Sequence, residues 1–200
     1  MNCIEKIWND DVVYIVAGGP SLKGFDWAKL DGKKVIAINR AFSYLPNADV
    51  LYFSDTRFYE WYRDDIEKFK GLKYTISNKI KSTTVKSLKR GHETGMHTDG
   101  YTLSHGNNSG YAAINLAYML GAKVIILLGY DLNTSKTVNF HDGYNIEQQN
   151  NVYKNEFIPP YLSLPRLFKR LGVLCYNANQ DSGLNCFPKC SLDFALNYKI

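Results

Sequence analysis

The chain has 200 residues, of which 45% are hydrophobic, so it can bury the core of one globular domain. Its formal net charge of +5 suits an anionic ligand without requiring nucleic acid. Four cysteines at this length exclude a disulfide framework, and no second Cys/His pair stands at zinc-finger spacing from Cys186 and Cys190. We therefore expect free thiols, a reducing compartment and a single domain over residues 1–200.

Two segments bear on the cellular location of the protein. Residues 1–11 are partly acidic and have no long apolar stretch, so no signal peptide is expected. The most apolar region, 111–128, is interrupted by Asn115, Gly121 and Lys123 and predicts helix, turn and strand instead of a membrane span. The sequence thus predicts a cytoplasmic protein without a transmembrane segment.

The first predicted element is a buried strand over 12–17 that stops at Gly18, Gly19, Pro20 and Ser21. Glycine has no Cβ, so its backbone can approach a ligand closely, and proline fixes one φ angle. The serine could cap a following helix, and free amides at such a turn attract phosphate. A tight turn without a ligand is an equal interpretation of these residues alone. The position after the first strand of an α/β chain favours a nucleotide site, because ligands gather at the carboxyl ends of such strands.

Strand-like and helix-like segments alternate along the rest of the chain. Most strands are short apolar runs without alternation, as in parallel sheets that are covered on both faces. Strands are predicted over 12–17, 34–38, 50–54, 74–77, 123–128 and 173–176, and helices over 56–69, 109–120 and 160–171, with a short turn at 25–30. Gly121 and Gly172 are predicted to end the second and third helices. The alternation predicts an α/β fold with a single doubly wound, mostly parallel sheet.

Polar residues follow several predicted strands, where a ligand would lie. Asn39 follows the second strand and could bind a ribose, base or phosphate, or else satisfy the backbone of its own turn. Asp55 follows the third strand and could bind the ligand, although capping the next helix is slightly favoured. Asp131 follows the fifth strand and could orient a loop, bind a hydroxyl group or act as a cap. All three are candidate nucleotide-binding residues.

A second glycine-containing turn precedes the predicted helix over 109–120. Asn108, Ser109 and Gly110 stand where this helix opens. Backbone amides and a hydroxyl group at a helix start could bind a second anionic group, because the helix dipole favours negative charge there. These three residues complete the predicted nucleotide site.

Two polar segments, 79–108 and 133–160, resist assignment to helix or strand. Long irregular segments of this kind are often lids or binding loops, or else partly disordered. His141 lies in the second segment. A loop histidine opposite a phosphate site can act as a general base near neutral pH, although a solvated side chain is favoured when the residue is considered alone.

Other chemistry-bearing motifs are weak or absent. No Asp-x-Asp follows a predicted strand, and no Walker motif or Ser/His/Asp signature is present. The spacing of His92, His97 and His105 matches no metal-ligand pattern, so no metal site is expected. The run 68–90 carries eight lysines and arginines and could steer a phosphorylated glycan or nucleic acid, but a solvated surface is favoured. Nucleic acid is therefore not the favoured partner.

Four motifs in this order resemble the small bacterial sialyltransferases that use CMP-sialic acid. The motifs are Gly-Gly-Pro-Ser-Leu-Lys at 18–23, Ile-Asn-Arg at 38–40, Ser-Gly-Tyr at 109–111 and Gly-Tyr-Asp-Leu at 129–132. The chain also resembles the wider group that includes motility-accessory glycosyltransferase-like proteins and archaeal pterin diphosphokinases. The resemblance implies a Rossmann-like fold, a GT-A-like variant, with a lid loop over 133–160.

The resemblance also implies roles for individual residues. Asn39 and Ser109 would hold the nucleotide, and His141 would be the catalytic base. Lid tyrosines would steady the departing phosphate, a role for Tyr144 or Tyr153. Such sialyltransferases need no metal, so no cofactor is expected and the nucleotide-sugar serves as the donor substrate.

Two departures from the family pattern affect the sugar and the acceptor. Gly18 stands where those sialyltransferases have an asparagine, and Gly106 stands where they have an arginine. The predicted lid is also shorter. These differences leave the predicted nucleotide site intact, while the contacts to the sugar and to the acceptor would differ.

The sequence predicts a metal-independent glycosyltransferase that uses a nucleotide-activated sugar, with a CMP-sialic-acid-like donor, and a glycan or other hydroxyl acceptor. An alternative is an ATP-dependent diphosphokinase, which would require Mg²⁺ with Asp55 and Asp131 as ligands. Another alternative is a module that binds or sequesters a nucleotide without catalysis, since the fold alone does not determine function. Whether the protein forms a homo-oligomer is left open.

Overall fold

A seven-stranded parallel sheet forms the centre of the molecule. The computed structural model describes residues 3–133 and 152–200. The strands are β1 Asp11–Val16, β2 Lys34–Ile38, β3 Val50–Phe53, β4 Leu72–Thr75, β5 Val85–Ser87, β6 Lys89–Arg90, β7 Thr102–Leu103, β8 Ala122–Leu128 and β9 Leu174–Asn177. The strand order is β5-β4-β3-β2-β1-β8-β9, and β6 and β7 pair separately, also in parallel.

Side chains of the central strands alternate between two hydrophobic clusters, one on each face of the sheet. In β1, Val13 and Ile15 belong to one cluster, and Tyr14 and Val16 belong to the other. All four are buried. A strand that is covered on both faces can be apolar throughout, which explains the continuous hydrophobic runs of the sequence.

Helices cover both faces of this sheet. The α-helices are α1 Thr56–Lys68, α2 Ser109–Leu120, α3 Ile158–Tyr161, α4 Leu164–Leu171 and α5 Leu192–Asn197. A π-helical turn, Tyr153–Phe157, precedes α3. Short 3-10 helices follow β1 at Pro20–Leu22, precede β2 at Trp27–Leu30 and follow β2 at Asn39–Ser43. Most side chains of α2 are buried, because this helix packs on β1, β2, β3 and β8.

A buried asparagine ties the long polar segment before α2 to the core. The side-chain oxygen of Asn115 accepts hydrogen bonds from the amides of His97 (3.0 Å) and Ser104 (3.1 Å), and its amide nitrogen donates to the carbonyl of His97 (2.8 Å). These bonds satisfy a polar side chain inside an apolar helix. They also hold β7 and the loop that enters α2 in place.

The predicted α/β fold and parallel sheet are confirmed, with shifts at several elements. The fourth strand begins at Leu72 instead of residue 74, and the sequence does not predict β5, β6, β7 or α5. The helix predicted over 160–171 is interrupted after Tyr161, because Pro165 has no amide hydrogen to donate to the Tyr161 carbonyl. The predicted caps at Gly121 and Gly172 have positive φ angles of 105° and 64°. No described helix is long and apolar enough to cross a membrane.

The strand order places a crevice beside the end of β1. The chain leaves β1 toward β2 on one side. It leaves β8, which lies on the other side of β1, toward β9 in the opposite direction. Connections that diverge in opposite directions open a crevice at the carboxyl ends of the two strands, and ligands of doubly wound sheets bind there. The fold therefore predicts the position of a site between the ends of β1 and β8.

Candidate functional site

A cleft of about 540 Å³ lies at this position. Both glycines of the turn after β1 line it, and so do residues that follow β2, β3 and β8. The predicted site residues that line the cleft are Gly18, Gly19, Pro20, Asn39, Asp55, Asn108, Ser109, Gly110, Asp131 and Tyr153. The predicted base His141, the predicted Tyr144 and most of the predicted lid lie outside the described residues. The topology thus gathers the described candidates, apart from Ser21, around one cavity.

The turn after β1 uses its amides to hold the protein together. The Gly19 amide donates to the Gly129 carbonyl (2.9 Å), and the Ser21 amide donates to the Asp131 carboxylate (3.0 Å). These two amides are therefore not free, although the sequence predicts free amides at this turn. Gly19 remains necessary for a different reason: a Cβ there would collide with Asp131 and Gly129. Ser21 lies inside the 3-10 helix that begins at Pro20 and does not cap an α-helix.

Asp131 is the buried acid of the cleft, with 7% of its surface exposed. Its second carboxylate oxygen accepts a hydrogen bond from the Ser21 hydroxyl (2.8 Å). Burial raises the pKa of Asp131, although the bonds from Ser21 and the nearby Asn179 amide oppose the rise. Tyr153 lies half-buried in the same cleft, and burial together with the charge of Asp131 raises the pKa of its hydroxyl group. Burial therefore disfavours the charged forms of both groups on this side of the cleft.

The start of α2 offers free hydrogen-bond donors to the cleft. Asn108 caps the helix, since its side-chain oxygen accepts from the Tyr111 amide (2.8 Å) and from the buried Tyr161 hydroxyl (2.7 Å). The amides of Ser109 and Gly110 donate no hydrogen bond within residues 3–133 and 152–200. Amides at the start of a 12-residue helix favour an anion through both hydrogen bonding and the helix dipole.

Asn39 and Asp55 follow neighbouring strands but differ in availability. Asn39 has a φ of 49°, and its side chain makes no hydrogen bond in the part of the chain that the structure describes. Asp55 caps α1 through the Arg57 amide (2.9 Å) and also forms an ion pair with the Arg57 guanidinium (2.9 Å). This pairing lowers the pKa of Asp55. The slightly favoured capping role of Asp55 is confirmed, and the Asn39 amide is the group with unused bonding capacity.

Sequence reasoning missed several polar residues of the cleft, notably Arg90, His105 and Asn107. In the sequence, Arg90 is only the end of a basic run, and His105 is only one of three histidines without metal-ligand spacing. The two side chains meet because β6 pairs with β7, which places Arg90 one strand away from the segment that leads to His105. No local pattern indicates a parallel pair of two-residue strands.

Metal ligands are not grouped in the described residues. Residues 3–133 and 152–200 contain no cluster of three His, Cys, Asp or Glu side chains that could hold an ion. The two ligands expected for Mg²⁺ under the diphosphokinase alternative, Asp55 and Asp131, are bound to Arg57 and Ser21. His92 and His97 stack on each other with ring centroids 5.7 Å apart.

Solved structures of two bacterial enzymes share this fold over nearly their whole length. The sialyltransferase CstII from Campylobacter jejuni, in complex with the substrate analogue cytidine-5'-monophosphate, aligns over 96% of this chain and 89% of its own, with a TM-score of 0.61 and 16% identity. Its complex with CMP-3FNeuAc aligns over 95% and 90%, with a TM-score of 0.55 and 15% identity. The monofunctional alpha-2,3-sialyltransferase Cst-I from the same organism aligns over 95% and 82%, with a TM-score of 0.56 and 18% identity.

These likenesses concern the fold. No protein-family model and no curated protein matches the chain. The predicted resemblance to bacterial sialyltransferases is confirmed at the level of three-dimensional structure, while the resemblance to pterin diphosphokinases stays a prediction. The roles of the individual site residues also stay predictions.

Proposed function

We propose that this protein is a metal-independent glycosyltransferase whose donor is a nucleotide-activated sugar, of the CMP-sugar class, and whose acceptor is a hydroxyl group of a glycan or another molecule. The observation that carries the proposal is the cleft at the diverging ends of β1 and β8, with the free amides of Ser109 and Gly110 at its wall. The shared fold with sialyltransferases solved in complex with CMP and CMP-3FNeuAc supports this class of ligand.

In the proposed complex the nucleotide phosphate binds to the start of α2. The Ser109 and Gly110 amides donate to it, and the Asn39 amide binds the ribose or base. During transfer the acceptor oxygen bonds to the sugar's anomeric carbon, and the bond from that carbon to the phosphate oxygen breaks. The nucleotide leaves with the electron pair. Donors that are already oriented toward the phosphate stabilise the charge that develops on it.

The proton of the acceptor hydroxyl group needs a base. We assign it to His141 from the resemblance, and Tyr144 or Tyr153 would steady the departing phosphate. General bases typically contribute two to four orders of magnitude in rate, so His141→Ala should lower transfer by about 100-fold or more while leaving nucleotide affinity unchanged. Near-normal transfer by this variant would overturn the assignment.

Calorimetric titration with CMP, UDP, GDP and ATP, first in EDTA and then with Mg²⁺, tests the nucleotide part of the proposal. We expect CMP to bind in EDTA. Binding of ATP only with Mg²⁺ would instead indicate the diphosphokinase, and tight CMP binding without turnover of any CMP-sugar would indicate a sequestering module. No binding at all would overturn the nucleotide site.

A pair of variants tests whether CMP binds in the described cleft. Asn39→Gly removes the side-chain amide but tolerates the positive φ of 49° at this position. Asp10→Gly makes the same kind of change at a φ of 58°, at the opposite end of β1. We expect about tenfold weaker CMP binding for Asn39→Gly, as for loss of one hydrogen bond to a ligand, and no change for Asp10→Gly. Equal affinities for the two variants would contradict the assignment.

A further inference from the structure

Arg90 supplies a positive charge to the cleft without a matching acid. Its side chain is exposed and lines the cavity. No carboxylate lies within ion-pairing distance of it in the part of the chain that the structure describes. The other cleft arginine, Arg57, is held by Asp55. Arg90 is therefore the cleft arginine whose charge is available to a ligand.

His105 presents a second donor beside Arg90. Its Nδ1 accepts a hydrogen bond from the Asn107 amide (3.1 Å) and lies 3.4 Å from Arg90 Nη2. A nitrogen that accepts carries no proton, so the remaining proton of the neutral ring is on Nε2. Burial and the Arg90 charge lower the pKa of His105 and outweigh the opposing effect of Glu93, so the neutral ring is favoured. No described residue accepts a hydrogen bond from Nε2.

The neighbours of Arg90 differ from those of the α2 amides. Gly110 packs against Tyr130 and Tyr161, on the side of the cleft where β8 ends. Arg90 instead lies near His105, 3.4 Å from its Nδ1, and near the buried Tyr52 of β3, where its charge opposes the rise that burial gives to the Tyr52 pKa. The Ser109 hydroxyl group is linked to Tyr52 through Ser54, so Arg90 lies on the β3 side of the start of α2. A phosphate on the Gly110 amide, toward β8, would leave that side to another group.

We infer that Arg90 and His105 form a second anion site in the cleft, which binds a carboxylate or phosphate of the substrate distinct from the phosphate at α2. Arginine offers only donors, as does the Nε2–H of the neutral ring, and oxyanions are the groups that offer only acceptors. The inference rests on the proposed function for the position of the first phosphate. The second anion belongs either to the transferred sugar or to the acceptor.

Inorganic phosphate added to the CMP-saturated protein tests for the second site directly. Binding is followed through the His105 ring signals by NMR spectroscopy, in wild type, Arg90→Gln, Arg90→Lys and Arg57→Gln. We expect Arg90→Gln to weaken phosphate binding about tenfold, as for loss of one charge-assisted contact, and to leave CMP affinity within about twofold. Arg90→Lys should retain part of the binding, and Arg57→Gln should behave like wild type.

Two results would overturn the inference. One is equal phosphate affinity in all four proteins. The other is loss of CMP affinity in Arg90→Gln as large as the loss of phosphate affinity, because Arg90 would then serve the nucleotide phosphate itself. If the wild type binds no CMP, the proposed function fails, and the same comparison of Arg90→Gln with Arg57→Gln on the nucleotide-free protein still tests the anion site.

Substrates then identify the source of the anion. Weaker binding of a carboxylate-bearing CMP-sugar relative to CMP in Arg90→Gln would assign the anion to the donor sugar. Arg90→Gln could instead leave the affinity for the CMP-sugar relative to CMP unchanged and raise the KM for an anionic acceptor but not for a neutral one. That result would assign the anion to the acceptor. Either result supports the site, and no change in either measurement would contradict its use in transfer.

Discussion

Gly19 lies where the loop after β1 packs tightly against the loop after β8, at the border of the cleft. Its backbone has ordinary angles, φ −64° and ψ 146°, so space alone demands glycine. A Cβ would collide with the Asp131 carboxylate and the Gly129 carbonyl oxygen. Because backbone would have to move, we expect Gly19→Ala to lower the free energy of unfolding by about 3 kcal/mol. Urea denaturation measures this change.

A second glycine provides the control for this prediction. Gly24 has a φ of 76°, and a Cβ added there would meet no atom within 4 Å, so Gly24→Ala tests conformational cost without a clash. That cost is about 1 to 2 kcal/mol. Equal losses of stability for the two variants would show that the approach of the β1 and β8 loops is not tight.

Asp131 makes stability depend on pH in an unusual direction for an acid. Burial raises its pKa above the ordinary value of 3.8, so the folded protein binds the proton more tightly than the unfolded chain. The contribution of this group is fully present below pH 3.8 and is lost as the pH rises through the raised value. In Asp131→Asn the group cannot ionise. The stability of wild type relative to this variant should therefore fall as the pH is raised from about 3.5 toward neutrality.

The measurement is urea denaturation of both proteins at a series of pH values. Other titrating groups are common to both, so the difference isolates residue 131. A difference that stays constant or rises with pH would mean that the two Ser21 hydrogen bonds outweigh the burial of the charge.

At the scale of the element, the start of α2 combines a structural cap with the proposed phosphate site. Asn108→Asp keeps the acceptor for Tyr111 and Tyr161 but adds negative charge beside the Ser109 and Gly110 amides. We expect the stability to fall by about 1 to 3 kcal/mol, because a carboxylate oxygen replaces the amide that donates to the Gly106 carbonyl (2.7 Å). We expect CMP affinity to fall about tenfold through repulsion. Denaturation and calorimetry separate the two effects.

The cap of α5 provides the matched control. Ser191 caps that helix by accepting from the Phe194 amide (3.1 Å) and does not line the cleft. Ser191→Asp should leave CMP affinity unchanged. If the two aspartate variants bind CMP equally well, the phosphate does not lie at the start of α2.

Long apolar elements can be predicted from the sequence because their signal is local. The β1, β2 and α2 patterns depend on burial within a few residues, and their predicted bounds agree with the structure to within one residue. The three-residue strand β5 and the two-residue strands β6 and β7 form only because neighbouring strands provide partners. Nothing within such short segments distinguishes them from a loop.

The same distinction applies to the site. The topology of a parallel sheet brings the residues after its strands to one edge, so their common location follows from the strand predictions. Which amides are free does not follow. Ser21 donates to Asp131 across 110 residues of sequence, and that contact replaces the phosphate that the local turn suggested.

For the molecule as a whole, the topology of the sheet indicates where a ligand binds, whereas the volumes of its clefts do not. A second cleft of about 520 Å³, close in volume to the first, lies at the amino ends of β2 and β3 and is lined by residues from 27–35 and 44–48. Volume therefore does not choose between the two clefts. Strand order does, because only the first cleft lies where connections diverge from the carboxyl ends.

Hydrogen exchange with and without CMP tests this choice across the chain. At a concentration 100 times its Kd, CMP should raise the free energy of unfolding by about 2.7 kcal/mol, which slows exchange in the core wherever it is located. Local protection identifies the cleft, and we expect it at the free amides of 109–110. Protection confined to 27–35 and 44–48 would place the nucleotide at the amino edge and overturn the argument from topology. Global slowing without local change at either edge would contradict binding in both clefts.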